Sequence, residues 1–292
     1  MISRLFCFGL GYSARALARP LIADGWRVAG TSRGEEGAEA IRALGAEAFV
    51  FAPDRPLGEP VRVLAGATHL LSSVPPEDSG DPVLAAHGGD IAGLGGLAWL
   101  GYLSATSVYG DRGGALVDES APLAPSSARG RRRARAERQW LALWQAHGVP
   151  VHVFRLAGIY GPGRSALDQV RAGAARRIDK PGHVFARIHV DDIANALRAS
   201  MARPHPGAIY NLCDDAPAPS AEVVAYACEL LGVAPPPPVP FAEAQASMSA
   251  MAREFWADHR RIDNRRMHEE LGVVLRYPSY REGLRAILAA GG

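Results

Sequence analysis

One lysine, Lys180, stands among the 32 lysines and arginines of this 292-residue chain, so its basic character is almost entirely arginine. Arginine keeps its proton at any ordinary pH, which excludes most of the chain's cations from proton transfer. Tyrosine is missing from the whole stretch between Tyr109 and Tyr160. Cysteine is scarce as well: Cys7, Cys213 and Cys228 are odd in number, far apart and without C-x-x-C spacing. That pattern argues against a disulfide framework or a zinc site, and reduced thiols in a cytoplasm are the expectation. No run of about twenty apolar residues is present to span a bilayer, and the first apolar run is too quickly broken by glycine for a signal peptide. A formal net charge of +2 is too mild to point to nucleic acid. We therefore expect a cytoplasmic protein with a small-molecule partner, without nucleic acid, membrane or bound metal.

What is present is a large apolar fraction, 48%, enough to bury one big domain or two unequal ones. Leu5 to Phe8 is a short apolar run that leads into Gly9-Leu10-Gly11-Tyr12-Ser13-Ala14, and the helical pattern Ala16, Leu17, Leu21, Ile22 follows. Strand, glycine turn, helix is the order a dinucleotide site needs. Gly9 permits the tight turn, Gly11 lets a pyrophosphate approach the backbone, and the helix start turns its free N–H groups toward the anion, with Ala14 in place of a third glycine. The same pattern also serves as an ordinary turn. Trp26 to Thr31 reads as a second strand ending in Ser32-Arg33. A protein that prefers NAD usually places an acid about twenty residues past the glycine turn. Here that acid is missing, and Thr31, Ser32 and Arg33 favour a 2′-phosphate, hence NADP, with NAD as the alternative.

Helix Ala38–Leu44, strand Glu47–Phe51, a short helix at Val61–Ala65 and strand His69–Val74 continue the alternation. Repeated in this way it predicts an α/β doubly wound parallel sheet with ligands at the carboxyl strand ends, which places Ser72, Ser73 and Val74 among the cofactor residues. Pro75 to Pro82 reads as a loop and Asp90 to Leu97 as a glycine-diluted helix before a fifth strand, Trp99–Leu103.

That strand opens into Ser104-Ala105-Thr106-Ser107-Val108-Tyr109-Gly110. The run resembles the V-Y-G strand end of the extended short-chain dehydrogenases, the epimerase and dehydratase family. Arg155 to Gly163 resembles the family's R-x-x-x-x-Y-G-P-G segment, and Ile188-His189-Val190-Asp191-Asp192-Ile193-Ala194 its I-H-V-D-D-x-A helix start. Tyr210-Asn211-Leu212, Leu271-Gly272 and Gly283-Leu284 fit later family patterns in the same order. The resemblance implies a Rossmann-type domain over residues 1–155 and 186–214 and a smaller substrate-binding cap over 156–185 and 215–292, with the ligand cleft between them.

The resemblance also implies a catalytic Ser or Thr, a Tyr and a Lys four residues after the Tyr. None is in place. Counting back from Gly110 puts Ala105 at the hydroxyl position, flanked by Ser104 and Thr106, which point in different directions on an extended segment. Counting back from Ala136-Glu137 puts Arg133 at the lysine position and Arg129 at the tyrosine position. Lys180 has Arg176 four residues before it, so the chain contains no Tyr-x-x-x-Lys. The candidate catalytic residues are therefore Thr106, Ser104, Tyr109, Arg133 and Arg129. Arg129 and Arg133 lie one helical turn apart and are expected to bind a carboxylate, a phosphate or the cofactor ribose; the neighbouring arginines read as a solvated face.

His189, Asp191 and Asp192 mimic a metal cluster, but the two aspartates precede a helix and read as an N-cap pair. His152 reads as a strand residue, and Phe255-Trp256 either lines the substrate side or packs in the core. Two functional classes remain: an atypical NADP-dependent oxidoreductase or epimerase acting on a small, anionic or nucleotide-sugar-like substrate, and a non-catalytic dinucleotide-binding sensor of redox state or metabolite. The sequence leaves the oligomeric state open, a homodimer included.

Overall fold

The computed structural model describes residues 3–291. Strand β1 (Arg4–Phe8) is buried along its whole length. Its side chains alternate, Leu5 and Cys7 joining one apolar cluster and Phe6 and Phe8 another, so the strand is covered on both faces. Around it forms a seven-stranded sheet in which each recorded pairing is parallel. Its order runs from Ile209–Leu212 through Val151–Leu156 to β5 (Trp99–Ala105), β4 (His69–Ser72), β1, β2 (Arg27–Ser32) and β3 (Glu47–Val50). The chain reverses its direction of growth beside β1, which opens a crevice there at the carboxyl ends.

Helix α1 (Tyr12–Ala23) packs its Leu17 and Leu21 into the Leu5–Cys7 cluster together with Ile193 and Leu197 of the later helix Val190–Ala202. On the opposite face lies the helix Ala128–His147, which buries Ala136 and Trp140. That long helix starts at Ser127, whose hydroxyl accepts the Gly130 amide at 3.1 Å, and stops at Gly148, whose φ of +69° suits the left-handed position after a helix. One element departs from the sequence reading. The helix before β5 spans Pro82–Ala92, because Asp81 caps it by accepting the Val83 and Leu84 amides and Pro82 fits its first turn.

Beyond the sheet, Gly158–Tyr160 and Arg187–His189 pair as a short parallel ribbon. Ala166–Arg171, Ser220–Leu230 and Tyr280–Ala289 enclose an apolar cluster with Tyr160 and Leu284. A second cluster gathers Phe185, Met248 and Trp256. Among the described residues no helix is long and apolar enough to cross a membrane.

Burial sets an acid limit on this fold. His69, His152, His183 and His189 are buried, and loss of solvation lowers each to about 4. Unfolded histidine takes up its proton near pH 6.5, so this stability is full above that value and is lost as pH falls toward 4. Asp214, which burial pushes up to about 8, acts in the opposite sense by holding its proton in the fold. Roughly three net protons are then taken up on unfolding in the upper part of this window, each worth about 1.4 kcal/mol per pH unit. The midpoint of urea unfolding should fall markedly from pH 7 to pH 5; an unchanged midpoint contradicts the neutral, buried state of these imidazoles.

Candidate functional site

The glycine turn is held from beneath. Gly9 has φ +79°, its amide donates to Thr31 Oγ1 at 2.8 Å, and its carbonyl accepts the Ser73 hydroxyl. A Cβ at Gly9 would lie 2.9 Å from Ser73 Oγ and 3.3 Å from Val74. Thr31 and Ser73, expected to meet the ligand, spend their hydroxyls on the turn instead. Ser72 is buried beside them, and Ser13 and Ala14 face into the packed side of α1.

Gly11 is different. A Cβ there would meet nothing within 4 Å, and the residue is exposed. Helix α1 starts at this point with no side-chain cap and no acid in its first turn, so unpaired N–H groups at the positive end of a twelve-residue helix face open space. The opening runs into a groove of about 730 Å³ lined by Gly11, Tyr12, Arg15, Arg19, Asp191 and Arg276. This arrangement fits a dinucleotide pyrophosphate. Tyr12 spans the turn and the cap: its hydroxyl donates to the Pro162 carbonyl at 3.0 Å, and the Arg164 guanidinium lies 5.8 Å from its ring centre. At the end of β2, Ser32 turns back to Gly34, donating to its carbonyl at 2.6 Å, while Arg33 is exposed.

The candidate catalytic residues separate. Register sets Ser104, Arg155 and Asn211 side by side on three adjacent strands. Arg155 there makes a buried ion pair with Glu137 at 2.8 Å and donates to the Tyr109 hydroxyl, also at 2.8 Å. Ser104 donates to Glu137 at 2.5 Å, and Tyr109 donates to Asn211 at 2.7 Å. Both hydroxyls are therefore committed within the core, and burial, opposed by Arg155, pushes the Tyr109 phenol upward. Arg133 donates to the Leu103 carbonyl, whereas Arg129 is exposed, so the expected pair does not converge. The neighbouring arginines also have partners: Arg132 grips Asp78 through two bonds of 2.6 and 2.8 Å, and Arg135 donates to the Asp78 carbonyl.

Of the five, Thr106 lines a small cavity of about 40 Å³ shared with Phe185, Phe255, Asp258 and Arg260. Asp258 accepts the Ser126 hydroxyl at 2.5 Å and Arg260 at 2.8 Å, and Arg260 also donates to the Gly110 carbonyl at 2.9 Å. These two residues were not found from the sequence. They come from the far C-terminal part, and no motif links them to the V-Y-G segment. Phe255 and Trp256 also line a larger cap pocket of about 540 Å³, which contains Arg187 and continues into the Thr106 cavity along Gly158, Phe185, Ala186 and Phe255.

The I-H-V-D-D segment has a structural role different from the expected N-cap pair. His189 is the cap, its Nδ1 accepting the Asp191 amide at 3.2 Å, and Asp192 accepts the amides of Arg276 and Tyr277 at 2.7 and 3.0 Å. His152 accepts the His205 amide at 2.8 Å inside its strand. Among the described residues no three His, Cys, Asp or Glu side chains gather as a metal site.

Residues 95–213 match the model of the NAD dependent epimerase/dehydratase family. Protein YeeZ of Escherichia coli K12 is 31% identical over 289 residues, covering 92% of this chain and 94% of YeeZ. The chain belongs to the NAD-dependent epimerase/dehydratase family. A solved structure of a conserved protein of unknown function from Silicibacter pomeroyi is 52% identical, with a TM-score of 0.90 and 99% of both chains covered. The dTDP-glucose 4,6-dehydratase of Bacillus anthracis, solved with NAD, shares the fold at 18% identity and a TM-score of 0.75, covering 99% of this chain and 96% of its own. The glycine turn that opens α1 is intact in this family member.

The two glycines of that turn should respond oppositely to substitution. Gly11→Val places its side chain in open space and should leave the melting temperature near wild type while abolishing dinucleotide binding in a fluorescence titration. Gly9→Ala should instead lower the melting temperature, because it needs a positive φ and crowds Ser73. Undiminished binding by a stable Gly11→Val protein would make the turn merely structural.

Proposed function

We propose that this chain is an NADP-dependent oxidoreductase or epimerase of unusual mechanism, acting on a small anionic or nucleotide-sugar-like molecule in the cleft between the strand ends and the cap. The observation that carries the reading is the uncapped start of α1 at Gly11, open to a basic groove. The dehydratase that shares the fold was solved with NAD. When bound, the nicotinamide would supply or accept a hydride. Gly11 and the first α1 amides would hold the pyrophosphate, and Arg33 would meet a 2′-phosphate at the end of β2. On the substrate side, Thr106 offers a hydroxyl to a substrate oxygen, and Arg260, held by Asp258 and the Gly110 carbonyl, offers a fixed positive charge beside it. Arg260 orients and stabilises charge but accepts no proton. Ser104, Tyr109 and Arg133 serve as anchors for this wall of the cleft.

A second reading, a non-catalytic dinucleotide-binding sensor, is favoured by one observation: no side chain in the Thr106 cavity matches the family's Tyr and Lys. A positioned acid or base contributes about 10²- to 10⁴-fold to rate, so its loss predicts slow turnover. Hydride exchange between NADPH and a panel of ketones and keto-sugars separates the readings. The proposal expects measurable transfer below about 1 s⁻¹, raised by the combined change Ala105→Ser, Arg129→Tyr, Arg133→Lys. Tight NADPH binding with no transfer selects the sensor, and wild-type turnover at or above about 1 s⁻¹ with a bell-shaped pH profile assigns proton transfer to a residue not named above.

Cofactor choice is tested separately. Loss of one charge-assisted contact to phosphate is worth about ten- to a hundredfold in affinity, so Arg33→Ala should weaken NADPH by that amount and spare NADH. Equal wild-type affinity for the two cofactors would remove the NADP preference.

A further inference from the structure

The cap pocket surrounds one largely buried guanidinium with apolar walls, and a second, that of Arg164, lines it as an exposed group. Ile159, Val223, Val224 and Leu284 line it together with Phe255 and Trp256. Arg187 enters from the ribbon strand and is fixed through Nη1, which donates to the carbonyls of Phe185 and Ala218 at 2.9 Å each. Among the described residues its Nε and Nη2 have no acceptor and no carboxylate pairs with it. The acid whose field reaches it, Asp214, is buried, makes no side-chain ion pair with it, and is pushed up to about 8 by burial. Tyr280 is 4% exposed, lines the same pocket, and its hydroxyl has no partner.

Arg164 and Gln169 line the pocket as exposed residues and, with Ser220, make no side-chain hydrogen bond among the described residues, whereas the remaining polar groups are engaged. Ser165 and Asp168 bond each other at 2.6 Å in a helix cap, and Tyr160 donates to the Ser279 carbonyl at 3.3 Å. A largely desolvated guanidinium with free donors and no carboxylate bonded to it is costly unless a ligand supplies the anion. A planar, two-oxygen anion matches the guanidinium fork, and Tyr280 provides a further donor. The rest of the pocket asks for an apolar body: Phe185 and Phe255 stack with ring centres 4.6 Å apart and planes 6° apart, and Phe255 is 55% exposed.

We propose that the cap pocket binds a small carboxylic acid with an aromatic body, its carboxylate on Arg187 and Tyr280 and its ring against Phe185, Phe255 and Trp256. This deepens the dinucleotide-dependent reading above and rests on it for catalysis, since the pocket continues to Thr106 and would place the far end of such a ligand toward the hydride site. A nucleotide sugar fits less well. It brings a diphosphate and a ring of hydroxyls, whereas Arg187 is the one largely buried cation of the lining, Arg164 and Gln169 being exposed to solvent.

The test titrates 3-phenylpropionate, its alcohol 3-phenylpropanol, and UDP-glucose into the full chain by calorimetry, with and without saturating NADPH. The acid should bind at least about tenfold more tightly than the alcohol. Arg187→Gln should weaken the acid by about ten- to a hundredfold and Tyr280→Phe by up to about tenfold, with NADPH affinity unchanged in both. If Arg187→Gln does not fold, Tyr280→Phe and the acid–alcohol comparison carry the result. Equal binding of acid and alcohol, insensitivity of the acid to both changes, or Arg187-dependent binding of UDP-glucose without the acid each overturns the proposal. Arg187-dependent acid binding by a wild type that fails to bind NADPH upholds the pocket and overturns the dinucleotide reading; the converse result overturns the pocket alone.

Discussion

The buried pair of Arg155 and Glu137 is the interaction on which the middle of this molecule depends. Two charges removed from water are tolerable only when every remaining donor and acceptor is engaged, and removing one partner of such a pair costs about 3–5 kcal/mol. Here Ser104, Tyr109 and the Glu119 carbonyl complete the set, and the row Ser104, Arg155, Asn211 runs straight across three strands. The pair thereby fixes β5, Val151–Leu156, Ile209–Leu212 and the long helix Ala128–His147 to one another. It also decides chemistry, since two hydroxyls that look reactive in the sequence are held inside the core by it.

Much of the architecture was legible because it is local. An apolar run, a glycine turn and an amphipathic helix in succession are read over a few residues, and repetition of that unit dictates a parallel sheet with covered faces. The Pro82–Ala92 helix was less legible: Gly88, Gly89 and the adjoining prolines dilute the pattern, and the Asp81-Pro82 start is the signal that locates it. Position along a strand end was legible too, but the role of a side chain there was not. Thr31 and Ser73 lie where a cofactor residue is expected, yet what their hydroxyls bond depends on the path of Gly9, a relation across more than one strand. Asp258 and Arg260 were illegible for the same reason on a larger scale, since only tertiary folding brings them to Gly110 and Ser126.

The two concave surfaces differ in kind. Around Gly11 the chain presents backbone N–H groups and arginines to an open groove, a setting suited to a large, solvated anion. In the pocket at Arg187 it presents one largely buried guanidinium amid aliphatic and aromatic walls, a more enclosed and more apolar setting. The Tyr12–Pro162 hydrogen bond lies between them and joins the turn to the cap loop.

The arginines at the start of the Ala128–His147 helix tie it to two other parts of the fold. Arg133 is tethered to the end of β5, and Arg132 and Arg135 are tethered to the loop that carries Asp78. The start of this helix is thus tied at three points, and because a lysine is a point charge without arginine's planar fork, exchanging Arg132 for lysine would keep the charge and give up the paired bonds to Asp78.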